Sequence, residues 1–253
     1  MLGQLGESAK LLAGGQSLIP LLKLRFANPE HLVDLNFIAG TSFIKEESGT
    51  LRFGTMTRHA EIENSALARK VPVLHDCAAG IADVQVRNRG TVGGNLCVND
   101  PTNHLPPLMA TTGATMTIRA LESERTVTSE EFFLGVYLTA VEPGEMLTSV
   151  TVPALAAGEG DGWASVTLGK EGTGIVNVAA TVSGGQARLA IGCVAAVPVV
   201  VEAEADEVSV RKAVADADLD PPGDVHASAD FRRHLAQVLA WRAVEQALGG
   251  AGA

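Results

Sequence analysis

Short apolar runs broken by glycine, alternating with helical spacing, organise the first third of the chain. Lys10-Leu11-Leu12-Ala13 stops at Gly14-Gly15 and reads as a buried strand ending in a tight turn. Ser17 precedes Leu18-Ile19-Pro20-Leu21-Leu22, the pattern of a capped helix with proline in its first turn. Strands are predicted at 31–35 and 51–54 and helices over about 58–67 and 73–81, which implies a small parallel α/β unit. Beyond the glycine-rich segment 89–95, the spacing predicts a helix over 105–112. Alternating strands follow at 115–118 and 125–127, a further element begins at Phe132-Phe133, and a long strand covers 146–153 before Pro153. Residues 154–162 are small and acidic and are read as a linker between domains 1–153 and 163–253. Strands at 164–168, 175–182 and 188–192 come next, the last two joined as a hairpin through Ser183-Gly184-Gly185. The rest reads as helical, at 208–217 and 229–248.

Bulk properties narrow the function. The chain has 253 residues, is 46% hydrophobic and 19% charged, and so is a folded globular protein. No apolar run approaches the roughly 20 residues of a membrane helix, and residues 1–10 lack the form of a secretory signal, so the cytoplasm is the expected location. A net charge of −10 argues against nucleic acid, and the basic Arg87-Asn88-Arg89 is too short to reverse that. Cys77, Cys97 and Cys193 form no C-x-x-C pair, so no metal or iron–sulfur site is expected.

Two glycine-rich segments stand out, Ala13-Gly14-Gly15-Gln16-Ser17 and Thr91-Val92-Gly93-Gly94-Asn95. Glycine permits close backbone approach, and successive N–H groups form an anion-binding nest. Ser17, Thr91 and Asn95 add side-chain donors, and two such turns can grip one pyrophosphate from both sides. Neither is G-x-G-x-x-G. No hydrolase motif is present, and His59, His75 and His104 are scattered, so no catalytic side chain is assigned and chemistry borne by a cofactor fits best.

These segments carry a resemblance. Leu11-Leu12-Ala13-Gly14-Gly15-Gln16-Ser17-Leu18-Ile19-Pro20 and Arg87-Asn88-Arg89-Gly90-Thr91-Val92-Gly93-Gly94-Asn95-Leu96 resemble the FAD-binding medium subunit of the molybdenum hydroxylases, the carbon monoxide dehydrogenase and xanthine dehydrogenase type. His31-Leu32-Val33-Asp34-Leu35, Asp100-Pro101 and residues 224–233 extend it along nearly the whole chain. The resemblance implies an α+β fold. A two-part FAD-binding domain, with a small parallel α/β unit and a mixed or antiparallel sheet, precedes a smaller domain with a three-stranded antiparallel sheet and helices. It implies FAD as cofactor, its pyrophosphate on Leu12, Ala13, Gly14, Gly15, Gln16, Ser17 and Leu18 and on Thr91, Gly93, Gly94 and Asn95, with a backbone contact at Leu147. It also implies partners: an iron–sulfur subunit and a molybdopterin-binding large subunit deliver electrons, which leave to NAD, oxygen or a quinone.

Three departures from the family pattern carry expectations. Relatives place a strand and most of a helix before the first glycine turn, and residues 1–5 read as the end of that helix. His104 stands where the family has an aspartate that accepts from the nucleotide, which predicts weaker or more pH-sensitive FAD binding. Around Gly169-Lys170-Glu171-Gly172, an aromatic beside the flavin is replaced by small residues, opening that face, and Lys170 is a candidate for tuning the flavin. Two alternatives remain: a stand-alone flavin oxidase or monooxygenase, and a non-enzymatic scaffold that has lost FAD.

Overall fold

The structure is a computed structural model and describes residues 2–169 and 172–251. Helix α1 (Leu2–Leu5) leads into strand β1 (Ala9–Leu12), helix α2 (Leu18–Lys23) and strand β2 (His31–Asp34). β1 and β2 pair in parallel, with Ala9 opposite His31 and Leu12 opposite Asp34. The parallel unit ends there. The strand expected at 51–54 is β4 (Thr50–Gly54), which pairs antiparallel with β3 (Ile44–Glu47) and belongs to a different sheet. The tight turn at Ser48-Gly49 joins these two strands within two residues, too short a link for a parallel crossover.

Between β4 and the next strand lie α3 (His59–Glu63), α4 (Pro72–Gly80), α5 (Val84–Arg89), α6 (Val92–Val98) and α7 (Leu105–Thr112). Strands β5 (Thr115–Arg119) and β6 (Glu124–Thr128) follow, then α8 (Ser129–Phe132) and the small hairpin β7 (Phe133–Gly135) and β8 (Leu138–Thr139). The long strand β9 (Met146–Pro153) completes an antiparallel sheet ordered β3-β4-β9-β5-β6. β9 is central because Leu147, Val150 and Val152 are buried, and they join Leu51, Phe53, Met116 and Ile118 in one apolar cluster.

A second antiparallel sheet is ordered β10-β11-β12-β13, from β10 (Gly160–Leu168), β11 (Thr173–Ser183), β12 (Gln186–Gly192) and β13 (Val199–Glu204). It has four strands rather than the expected three. β13 is the addition, a Val-Val-Val run hydrogen-bonded to β12. β10 also begins at Gly160, inside the stretch expected to be linker. The hairpin expected at 183–185 forms, Gly184 and Gly185 both adopting positive φ as a two-residue turn requires.

β11 is buried on both faces, with α7 on one side and the terminal helix α10 (Ala229–Ala251) on the other; α9 (Glu207–Asp216) flanks α10 and β13. α10 sits close because its Ala243 and Ala247 backbone lies against Gly160 and Gly162 of β10, while Ala236 and Ala240 are buried in the same apolar cluster. A Cβ on Gly162 would lie 3.0 Å from the Ala243 carbonyl carbon. On the opposite face, Trp163 and Ala179 project into the first apolar cluster and tie the two sheets together.

Asp161 makes a second tie, its Oδ2 accepting from the Val73 N–H of α4 at 3.1 Å. Burial pushes this carboxyl up to about 6, with Asp76 adding to the effect. The folded chain therefore holds that proton more tightly than the unfolded chain, and stability falls as pH rises from about 4 to about 6. Asp161→Asn keeps an acceptor for Val73 without the charge. We expect it to be more stable than the parent at pH 8, by about 1–3 kcal/mol, with the difference gone below pH 4. Melting curves at both pH values check this, and a variant less stable at pH 8 would contradict it.

Candidate functional site

The first glycine turn leaves β1 and enters α2. Residues 13–17 lie outside any helix or strand, and among the described residues no acceptor meets their backbone N–H groups. Gly15 has φ +75°, a left-handed conformation that glycine tolerates. Gln16 folds back so that its Nε2 donates to the Gly14 carbonyl at 3.2 Å, closing the turn. Leu12 and Ile19 pack at Gly15, fixing the strand and helix on either side. Ser17 occupies the N-cap position without a side-chain cap bond, contrary to its expected role, and is exposed. Leu18 begins α2. The result is a short run of unengaged backbone donors, a nest suited to an anion.

The second segment is built differently. Gly93 and Gly94 are not in a turn but in the first turn of α6, and their amides are already engaged. Val92 N–H donates to Thr57 O at 2.9 Å, Gly93 N–H to Thr55 O at 2.8 Å and Gly94 N–H to Thr91 Oγ1 at 3.0 Å. Gly93 is glycine for packing, since a Cβ there would lie 2.8 Å from both Cβ and O of Thr55. The expectation of a second open nest is thus corrected. This segment backs the first one: a Cβ on Gly14 would come within 2.9 Å of Gly90 Cα, and one on Gly94 within 3.5 Å of Ala13 Cβ.

Beside this junction, three buried polar atoms are unmatched among the described residues: Asn95 Oδ1, on a half-buried side chain, and His104 Nε2 and His59 Nδ1, on buried ones. Asn103, next to His104, donates from Nδ2 to Asn95 O at 3.0 Å. His104 is 3% exposed and its ring stands 5.5 Å from that of Trp163. Burial holds its imidazole down at about 4, and His59 is held at about 4 by burial and then by the proximity of His104, Arg58 and Arg87. His104 is therefore neutral across the ordinary pH range, and the pH sensitivity expected from it moves down to about 4. A buried polar atom without a partner is costly.

Leu147 is the outlier of the expected set. Its side chain is 1% exposed in the apolar cluster, and its residue pairs with Ile118 in β5. Its link to the site runs through the backbone, as the adjacent Thr148 O accepts from Thr55 N–H at 3.1 Å and Thr55 O accepts from Gly93. Lys170 lies outside the described residues. Among those described, no group of three or more His, Cys, Asp or Glu side chains is placed to hold a metal ion, and no helix is long and apolar enough to cross a membrane.

The sequence reading passed over Asn36 and Arg58 as site residues and set His59 aside among the scattered histidines. His59 sits at the start of α3, donates its N–H to Gly90 O, and its ring would be 2.8 Å from a Cβ on Gly90. Nothing in the spacing signals this, because 45 residues separate it from His104.

Comparison with known proteins shows the family and the fold. Residues 1–155 match the family model for the FAD binding domain in molybdopterin dehydrogenase, and residues 163–247 that for the CO dehydrogenase flavoprotein C-terminal domain. The carbon monoxide dehydrogenase medium chain of Afipia carboxidovorans is 38% identical, over 98% of this chain and 91% of that one. The 6-hydroxypseudooxynicotine dehydrogenase complex subunit alpha of Paenarthrobacter nicotinovorans is 33% identical, over 96% and 88%. A solved chain of CO dehydrogenase from Oligotropha carboxidovorans superposes with a TM-score of 0.92 at 35% identity, over 98% of this chain and 93% of that one. One of quinoline 2-oxidoreductase from Pseudomonas putida 86 gives 0.86 at 33%, over 96% and 90%.

Proposed function

Since the chain belongs to the family of FAD-binding flavoprotein subunits of the molybdopterin dehydrogenases, we propose that it is the electron-transferring subunit of a larger oxidoreductase complex. The observation that carries the reading is the turn at residues 13–17, whose unengaged amides suit the diphosphate of FAD. In this reading Leu12 and Leu18 frame the turn, and Ala13, Gly14, Gly15, Gln16 and Ser17 present their backbone N–H groups. Thr91, Gly93 and Gly94 support the turn from behind. Asn95, His104 and His59 accept from or donate to the sugar hydroxyls and adenosine edge through their unmatched atoms. The FAD supplies the redox chemistry, taking up electrons from one partner and releasing them to another. The protein's own residues bind and orient it, and no side chain is required as acid or base.

The partners belong to the same proposal: a 2Fe–2S subunit and a large molybdopterin-binding subunit on the donor side, and NAD, oxygen or a quinone as acceptor. The two family models part between 155 and 163, which supports dividing the chain at about 154–162. Purification of the tagged chain from its own cells tests the reading. Recovery of two further subunits, with iron, labile sulfide and molybdenum, is the expected result. A flavin-loaded chain that elutes alone and oxidises a substrate with oxygen would contradict it in favour of a stand-alone oxidase.

A further inference from the structure

We propose that Arg58 is a positioning residue that holds the two glycine-containing segments in register and sets a positive charge beside the diphosphate. This rests on the FAD reading above. The main chain at Arg58 forms an isolated antiparallel bridge with Thr91, flanked by the bonds from His59 N–H to Gly90 O and from Val92 N–H to Thr57 O. Residues 57–59 are thereby zipped along residues 90–92. The side chain then spans to the other segment. Its Nη2 donates to Asn36 Oδ1 at 2.6 Å, Asn36 Nδ2 donates to Ala13 O at 3.0 Å, and Nη1 donates to Arg89 O. One guanidinium fork thus joins the first glycine turn, through Asn36, to the residue that precedes Gly90. Arginine suits this task because its planar fork holds two acceptors in fixed geometry, which an ammonium cannot.

Among the described residues neither Arg58 nor Arg89 makes a salt bridge, although the chain carries a net charge of −10. Partial burial and the neighbouring Arg89 both act against the charged form of Arg58, with Glu61 the carboxylate that offsets them. Two like charges brought together at the rim of a backbone nest are relieved by an anion, and a diphosphate is the anion of the right size and charge for a turn of five amides.

The test is titration of FAD into the flavin-free full chain, followed by quenching of flavin fluorescence at several salt concentrations. Arg58→Met is expected to raise the Kd about tenfold or more and to flatten the dependence of log Kd on log salt. Its flavin-free melting temperature should stay within a few degrees of the parent. Arg58→Lys should keep the salt slope and recover part of the affinity. Asn36→Ala should weaken binding with the slope unchanged, and it decides the register role should Arg58→Met fail to fold. Wild-type affinity and slope in Arg58→Met, or wild-type affinity in Asn36→Ala, would overturn the proposal while leaving FAD binding intact. A parent chain that does not bind FAD would overturn both.

Discussion

Replacing Gly93 with alanine is expected to abolish FAD binding and to destabilise the fold by about 2–3 kcal/mol. The added Cβ would lie 2.8 Å from Thr55 Cβ and 2.8 Å from Thr55 O, both fixed at the end of β4. Neither can retreat: Thr55 is 4% exposed, its N–H is held by Thr148 O, and its O accepts from Gly93 itself. α6 would have to shift outward, stretching the bonds from Val92 and Gly93 that seat it. That movement carries Thr91, Gly94 and Asn95 away from the first glycine turn, with which Gly94 is in van der Waals reach. The effect on the ligand is therefore larger than the effect on stability. Thermal melting of the flavin-free chain and a FAD titration separate the two, and a variant that melts and binds like the parent would refute this account of the helix seat.

Acidification provides the second large effect. His59 and His104 are buried as neutral imidazoles held at about 4, against about 6.5 for an exposed histidine. Between these values the unfolded chain binds more protons than the folded one, so stability is full above about 6.5 and is lost as pH falls toward 4. Each histidine accounts for about 3 kcal/mol over the window. Asp161 works in the opposite sense, since its raised carboxyl favours the folded chain as pH falls, and it offsets about one of the two histidines. A net loss of about 3 kcal/mol from pH 6.5 to 4 is expected, which lowers the melting temperature by about 5–10 °C for a chain of this size. The His59→Gln and His104→Gln variants should each flatten the profile. A melting temperature that is constant or rises on acidification would contradict the buried-neutral assignment. The same neutrality predicts FAD affinity that varies little between pH 6 and pH 8.

What the sequence disclosed depended on whether local pattern and tertiary use coincided. β9 was legible because its apolar positions match a half-buried central strand. The hairpin at Gly184-Gly185 was legible because the turn demands positive φ at both positions. β3 was not, as Ile44-Lys45-Glu46-Glu47 is an exposed edge strand whose charged side chains hide any alternation. β13 escaped because a continuous valine run after Pro198 shows no period. The placement of β4 needed knowledge of its partner strand, which periodicity does not contain.

The site divided in the same way. Residues 12–18 announced themselves through glycines in an unusual local conformation. Gly93 and Gly94 were read as a second nest, yet their amides go to Thr55 and Thr91, a fact set by β4 some forty residues earlier. Asn36 lies just after β2, and Arg58 and His59 lie together at the start of α3; β2 and the bridge at Thr91 bring the two segments to the junction, so no spacing rule could find them.

The most direct test of the central claim is the absorbance spectrum of the purified chain before and after incubation with FAD and removal of the excess. Bands near about 370 and about 450 nm that stay with the protein, in a ratio of one flavin per chain, are the expected result. A colourless chain that retains no flavin after incubation, although folded by its melting curve, would contradict the reading of residues 13–17 as the FAD cradle.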